Sequence, residues 1–278
     1  MKCLNITVLY NDSIPSKIYL AFLYKNGFYP RKIIYLNFKT SKKYNITKFF
    51  LGKRFSDKIR ESRKKKYLDV ELSNLLLQPF NLKYSDLDKD IAGFSQEYCE
   101  ISVSSLSDKN LIDYLTNETN KTFLFTGGGI LKKELLSIKD TKFIHIHPGV
   151  VPDIKGSDGL FWSYLLRGKI GYSCFYMNEG IDTGDILHID EYKLHKYKNT
   201  KFSKYKKQVL YRYLLDYYDP CFRAQTFVNL INKSLTNSKE LNELSYEKQD
   251  STVGRTYFLM HEKLRDIVLE KMIKEMSA

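Results

Sequence analysis

From Cys3 to Gly149 the chain alternates short apolar runs with segments of helical length, and glycine or proline closes several of them. That alternation is the strongest constraint on the fold. "CLNITVLY" (3–10) reads as a buried first strand. "SIPSKIYLAFLYKNG" (13–27) reads as a helix, with Ser13 as N-cap, Pro15 in the first turn and Gly27 as its stop. "YPRKIIYLNF" (29–38) and "YCEISVSS" (98–105) supply further strands, and "SDKNLIDYLTNE" (107–118) a helix capped by Ser107 or Asp108. "KTFLFTGGGIL" (121–131) is an apolar strand entering a glycine turn, followed by the helix "KKELLSI" and the strand "KFIHIHPG" (142–149). Such βαβ alternation predicts an α/β protein with a Rossmann-like, mostly parallel sheet covered on both faces. Ligands of such sheets bind beyond the carboxyl ends of the strands, where both "TGGG" and "HPG" fall.

After about residue 195 the pattern becomes helical. "SKYKKQVLYRYLLDYY" and "CFRAQTFVNLINKSL" read as helices split at Asp219-Pro220, and "TYFLMHEKLRDIVLEKMIKEM" (256–276) as one long amphipathic helix. The 278 residues therefore divide into a catalytic domain, 1–195, with a basic insertion at about 38–90, and a helical C-terminal extension, 196–278. The net charge of +13 is concentrated. Fourteen Lys or Arg and two acids lie between Arg31 and Lys66, so the remainder is nearly neutral. That segment is either a solvated Lys-rich surface or a patch for phosphate, nucleic acid or an anionic membrane. Phe50, Phe55 and Ile59 among the bases also permit an interfacial amphipathic helix. Apolar runs are too short for a transmembrane span, and the N-terminus is too polar for a secretory signal. Four dispersed cysteines without a CxxC pair fit reduced thiols in a cytoplasmic protein.

The chemistry concentrates in "FIHIHPG" (143–149) and "GIDTGDIL" (180–187). Alternate strand residues share a face, so His145 and His147 point together while Ile144 and Ile146 point away. A neutral imidazole at the sheet rim can accept a proton if a partner fixes its tautomer, and Asp182, bracketed by Gly180 and Gly184, is the natural partner. An isolated histidine would more often be a hydrogen-bonded core residue. Two histidines and a glycine-bracketed acid together point to a site.

These residues resemble the signature of the folate-dependent formyltransferases, a family that includes glycinamide ribonucleotide formyltransferase, methionyl-tRNA formyltransferase and the sugar N-formyltransferases. That signature runs Asn-x-His-Pro, Pro, (Lys/Arg)-Gly, Gly, Asp-x-Gly. The matching residues are His145-Ile146-His147-Pro148, Pro152, Lys155-Gly156, Gly171 and Asp182-Thr183-Gly184, within a resemblance spanning about residues 123–190. It implies the formyltransferase fold and formyl transfer from 10-formyltetrahydrofolate, a co-substrate, to an amine, with no metal. It implies His145, His147 and Asp182 as catalytic residues. Gly127, Gly128, Gly129 and Ile130 would lie along the folate, and Lys155, Ser157 and Asp158 near the acceptor. The family asparagine, an oxyanion donor, is His145 here, which can replace it only by presenting an N–H.

The resemblance leaves the acceptor open. A helical tail, rather than the β-barrel of the tRNA enzymes, favours a small-molecule amine, a nucleotide-linked amino sugar, over methionyl-tRNA; "GRTYF" (254–258) resembles a segment after sugar N-formyltransferase cores. A homodimer is compatible with this reading. Two alternatives of other classes stand beside it: a metal-dependent hydrolase using the His-x-His and Asp set, and a non-catalytic folate- or sugar-binding member.

Overall fold

The computed structural model describes residues 1–38, 68–198, 200–250 and 252–278. Most of the basic insertion, including Lys64, Lys65 and Lys66 and nearly all of the amphipathic-helix reading, lies outside the described residues.

The described elements are β1 (Lys2–Tyr10), α1 (Ile14–Lys25), β2 (Phe28–Phe38), α2 (Val70–Leu77), β3 (Glu97–Val103), α3 (Lys109–Asn117), β4 (Thr122–Phe125), α4 (Lys133–Leu136) and β5 (Lys142–His147). They continue with β6 (Ile154–Gly156), α5 (Gly159–Arg167), β7 (Ile170–Tyr176), β8 (Asp185–Tyr192), α6 (Lys207–Tyr213), α7 (Asp219–Thr236), β9 (Arg255–Tyr257) and α8 (Glu262–Ser277). Local chemistry sets several boundaries. The Ser13 hydroxyl accepts the Ser16 N–H at the start of α1, and Gly27 leaves that helix at φ +82°, where a Cβ would be strained. Asp108 caps α3 by accepting the Asn110 N–H.

Seven strands form one sheet in the order β3-β2-β1-β4-β5-β7-β8. β1 to β5 run parallel, and β7 and β8 add antiparallel to β5. The chain winds outward from β1 to β3 and returns to β4, so the sheet's switch point falls between β1 and β4. An α/β architecture with a mostly parallel sheet and a largely helical C-terminal region matches the expectation. One face of the sheet packs Ile6, Val8, Ile33, Ile144 and Ile146 into a core shared with α1 and α7. The other packs Leu9, Ile34, Phe123, Phe125 and Phe143 beneath Leu111, Leu115 and Leu135. β5 thus sends its isoleucines to the first core, which leaves His145 and His147 on the side of Phe143.

Two expectations are corrected. Pro220 does not split the tail helices: a π-turn, Leu214–Tyr218, joins α6 to α7 and widens the backbone just ahead of the proline. That register change accommodates the missing N–H without a break. Residues 256–261 are not helical. Arg255–Tyr257 instead pairs in parallel with β6, and His261 caps a helix that starts at Glu262. Phe258, within the stretch read as amphipathic helix, stands 81% exposed. The antiparallel strands β7 and β8 carried no expectation: β7 is buried throughout and shows no alternation to read.

Candidate active site

Pro148 and Gly149 end β5, and the geometry there explains both. A Cβ at Gly149 would stand 2.4 Å from the Ile154 carbonyl oxygen and 2.6 Å from His147 Nε2. Only glycine lets that carbonyl reach the imidazole. Ser173 of β7, opposite His147, closes the turn: its hydroxyl donates to the Gly149 carbonyl at 2.7 Å and accepts the Val151 N–H at 3.0 Å.

His147 is 3% exposed. Its Nε2 meets the Ile154 carbonyl at 3.1 Å, which can only accept, so Nε2 carries the hydrogen. Nδ1 then faces Asp182 Oδ2 at 3.4 Å. That spacing exceeds the ~2.7–2.9 Å of a charge-assisted hydrogen bond, as befits an Nδ1 that carries no hydrogen beside a carboxylate oxygen. Burial, helped by the Arg223 charge, pushes the imidazole down to about 3. Burial raises the Asp182 carboxyl, although the Gly156 N–H at 2.7 Å, His145, Arg223 and Lys155 pull against it. Low dielectric disfavours charge on both partners.

His145 is half-buried between Phe125 and Phe175. Its Nδ1 donates to the Phe125 carbonyl at 3.2 Å. Burial first, then Arg223, lowers it to about 4, so near neutrality the ring carries one hydrogen, on Nδ1. A neutral His145 offers a lone pair at Nε2 rather than the N–H an oxyanion donor needs, because a carbonyl twenty residues away fixes the tautomer.

The remaining expected residues divide. Gly127 is buried, and a Cβ there would press on the Phe125 ring and stand 3.3 Å from Asn11 Nδ2. Gly128, Gly129 and Ile130 are exposed beyond β4, with a surface that a flat ring can approach. Lys155 is 6% exposed and donates to the Val253 carbonyl at 3.3 Å. Ser157 is exposed. The Asp158 carboxylate is occupied structurally, accepting the Tyr211 hydroxyl and the Met260 N–H, each at 2.8 Å. The other histidines serve elsewhere: His188 pairs with Asp190, and His195 packs among Phe80, Tyr218 and Phe222. Among the described residues no group of three or more His, Cys, Asp or Glu stands in metal-ligating geometry. A cavity of about 870 Å³ is lined by Glu71, Asn74, Lys83, Lys201, Lys204 and Tyr205 among others, and no expected site residue borders it.

Asn11 was not anticipated. It follows β1 at the switch point, and its Oδ1 accepts the Ser13 and Ser16 hydroxyls, both at 2.6 Å. Those two donors fix the amide, leaving Nδ2 toward Gly127. A polar "YND" between a strand and its helix cap was the available signal.

Fold and geometry define the class: an α/β protein with two imidazoles and a carboxylate converging at a strand's carboxyl end. Residues 84–210, a little under half of the chain, match the formyl transferase family. The chain is also similar to a methionyl-tRNA formyltransferase of Finegoldia magna, 29% identical over 97 residues, covering 34% of this chain and 31% of that protein. Over 66 residues it is 38% identical to the methionyl-tRNA formyltransferase of Syntrophus aciditrophicus, covering 23% of this chain and 21% of that protein. The matches thus span less than a third of those curated relatives. Among solved structures it is similar to a 4-N formyltransferase from Francisella tularensis, at 15% identity and TM-score 0.48, covering 97% of this chain and 86% of that one.

Proposed function

We propose that this protein is an N-formyltransferase that moves the formyl group of 10-formyltetrahydrofolate to the amine of a nucleotide-linked amino sugar. The observation that carries the reading is the convergence of His145, His147 and Asp182 on one side of β5, with Asp182 Oδ2 3.4 Å from His147 Nδ1. The folate supplies the electrophilic formyl carbon, and the exposed Gly128, Gly129 and Ile130 surface is where its ring would lie.

The amine nitrogen must lose a proton as the new C–N bond forms. The open lone pair is His145 Nε2, since His147 is enclosed by Ile154 and Asp182. His145 then acts as acceptor and can return the proton to the departing folate nitrogen. The His147–Asp182 pair holds a second proton position beside it: a proton arriving on either atom closes the long contact into a hydrogen bond. Lys155, buried near Asp182, keeps the site electropositive for an anionic acceptor. The four free cysteines fit a reducing, cytoplasmic setting. No helix among the described residues is long and apolar enough to cross a membrane.

A second acceptor, methionyl-tRNA, is favoured by the names of the curated relatives. Against it, the strand content described in the tail is the three-residue β9, far from a β-barrel. The test incubates the protein with 10-formyltetrahydrofolate and either a panel of aminated nucleotide sugars or methionyl-tRNA, and weighs the acceptors. One formyl group gained by a sugar is expected. Formylated methionyl-tRNA alone would overturn the acceptor, and transfer to neither would overturn the activity.

A further inference from the structure

Asp182 is held in place from outside the segment that matches the family. Its φ of +53° lies in the left-handed region, which aspartate enters more readily than most residues with a Cβ but which local bonds here hold in place. Thr183 and Gly180 are tied to Asn178. The carbonyls of Asp182 itself and of Gly184 both point at one group, the side-chain amide of Gln249. Its Nε2 donates to Asp182 at 3.1 Å and also to Gly184. Two hydrogens meet two carbonyls, which fixes the amide's orientation, and the buried Oε1 has no partner among the described residues.

The chain around Gln249 also holds the other side of the pair. Glu247 and Ile186 exchange backbone hydrogen bonds at 2.7 and 2.8 Å. The Ser157 N–H donates to the Tyr257 carbonyl at 2.8 Å, and the Arg255 N–H donates to the Asp153 carbonyl at 3.1 Å. β6, clasped in this way by β9, supplies both the Ile154 carbonyl on His147 and the Gly156 N–H on Asp182. At Gly156 a Cβ would fall 2.1 Å from the Tyr257 oxygen, so the clasp needs that glycine.

We propose that Gln249 is a positioning residue for Asp182, and that the tail segments 247–250 and 252–257 act together as a strap setting the His147–Asp182 spacing. This rests on the catalytic reading of that pair.

The test compares wild type with Q249A, with Q249M, which keeps the volume but lacks the donor, and with K239A at an exposed position outside the strap as control. Ring nitrogen and proton NMR signals of His147 are followed together with kcat, KM and the pH profile of kcat. Both Gln249 variants should shift the His147 signals, lower kcat by about 100-fold with KM little changed, and displace the acid limb, since ångström-scale misplacement costs about that factor. K239A should match wild type. If Q249A does not fold, Q249M alone decides. Unmoved His147 signals and wild-type kcat in Q249M would overturn the proposal, however far its melting temperature falls. Should wild type transfer no formyl group, the proposed function fails while the NMR comparison still decides the role of Gln249.

Discussion

At the scale of single residues, the site turns on which ring nitrogen carries a hydrogen. The Phe125 carbonyl takes the Nδ1 hydrogen of His145, and the Ile154 carbonyl takes the Nε2 hydrogen of His147. Two histidines of identical chemistry thus present different atoms: His145 an open lone pair, His147 a lone pair aimed at a carboxylate. His145→Asn separates the roles. An amide can donate or accept a hydrogen bond but cannot take up a proton. Turnover should therefore fall by about 10²-fold or more, the usual contribution of a general base. Steady-state kinetics at pH 7 check this, and full activity in H145N would return position 145 to the donor role of the family asparagine.

At the scale of elements, the β5 terminus and the β6 strand form a single device. Gly149 is the narrow point, because the Ile154 carbonyl passes through the volume a side chain would fill. Gly149→Ala should push that carbonyl from His147 Nε2, cost about 1–3 kcal/mol as an overpacked site, and reduce turnover as the imidazole loses its anchor. Urea unfolding and kinetics on the same sample check both parts. A variant of wild-type stability and activity would show that the loop relaxes freely. The strands themselves were legible: β1, β2, β3, β4 and β5 fall where apolar runs and turn residues placed them. Pro220 and the 256–261 stretch misled because a π-turn and a strand pairing are tertiary solutions, and short-range propensity yields to them.

At the scale of the whole molecule, burying neutral histidines links stability to pH. The folded His147 is depressed to about 3 from the ordinary 6.5, so between those values the unfolded chain binds a proton that the folded chain does not. Stability from this residue is therefore fully present above about pH 6.5 and is lost as pH falls toward 3. Asp182, Asp216 and Asp219, raised by burial, act with the opposite sign, so a difference isolates the imidazole. The unfolding free energy of wild type minus that of His147→Asn should shrink by about 2.3 kcal/mol in all as pH falls from 6.5 to 4.5, with the slope steepening toward about 1.4 kcal/mol per pH unit. Urea titrations at several pH values measure it, and a pH-independent difference would mean that His147 takes up its proton as readily in the fold as in the unfolded chain.

The sequence by itself determined the α/β alternation, the shared face of His145 and His147, and the glycine-bracketed Asp182. Each is a matter of period or spacing within a few residues. Tertiary structure alone decided the tautomers, the closeness of Asp182 to His147, and the grip of Gln249 on a turn 67 residues away. A hydrogen bond between distant segments fixes a proton or a dihedral angle without requiring any local pattern of side chains, so nothing along the chain announces it.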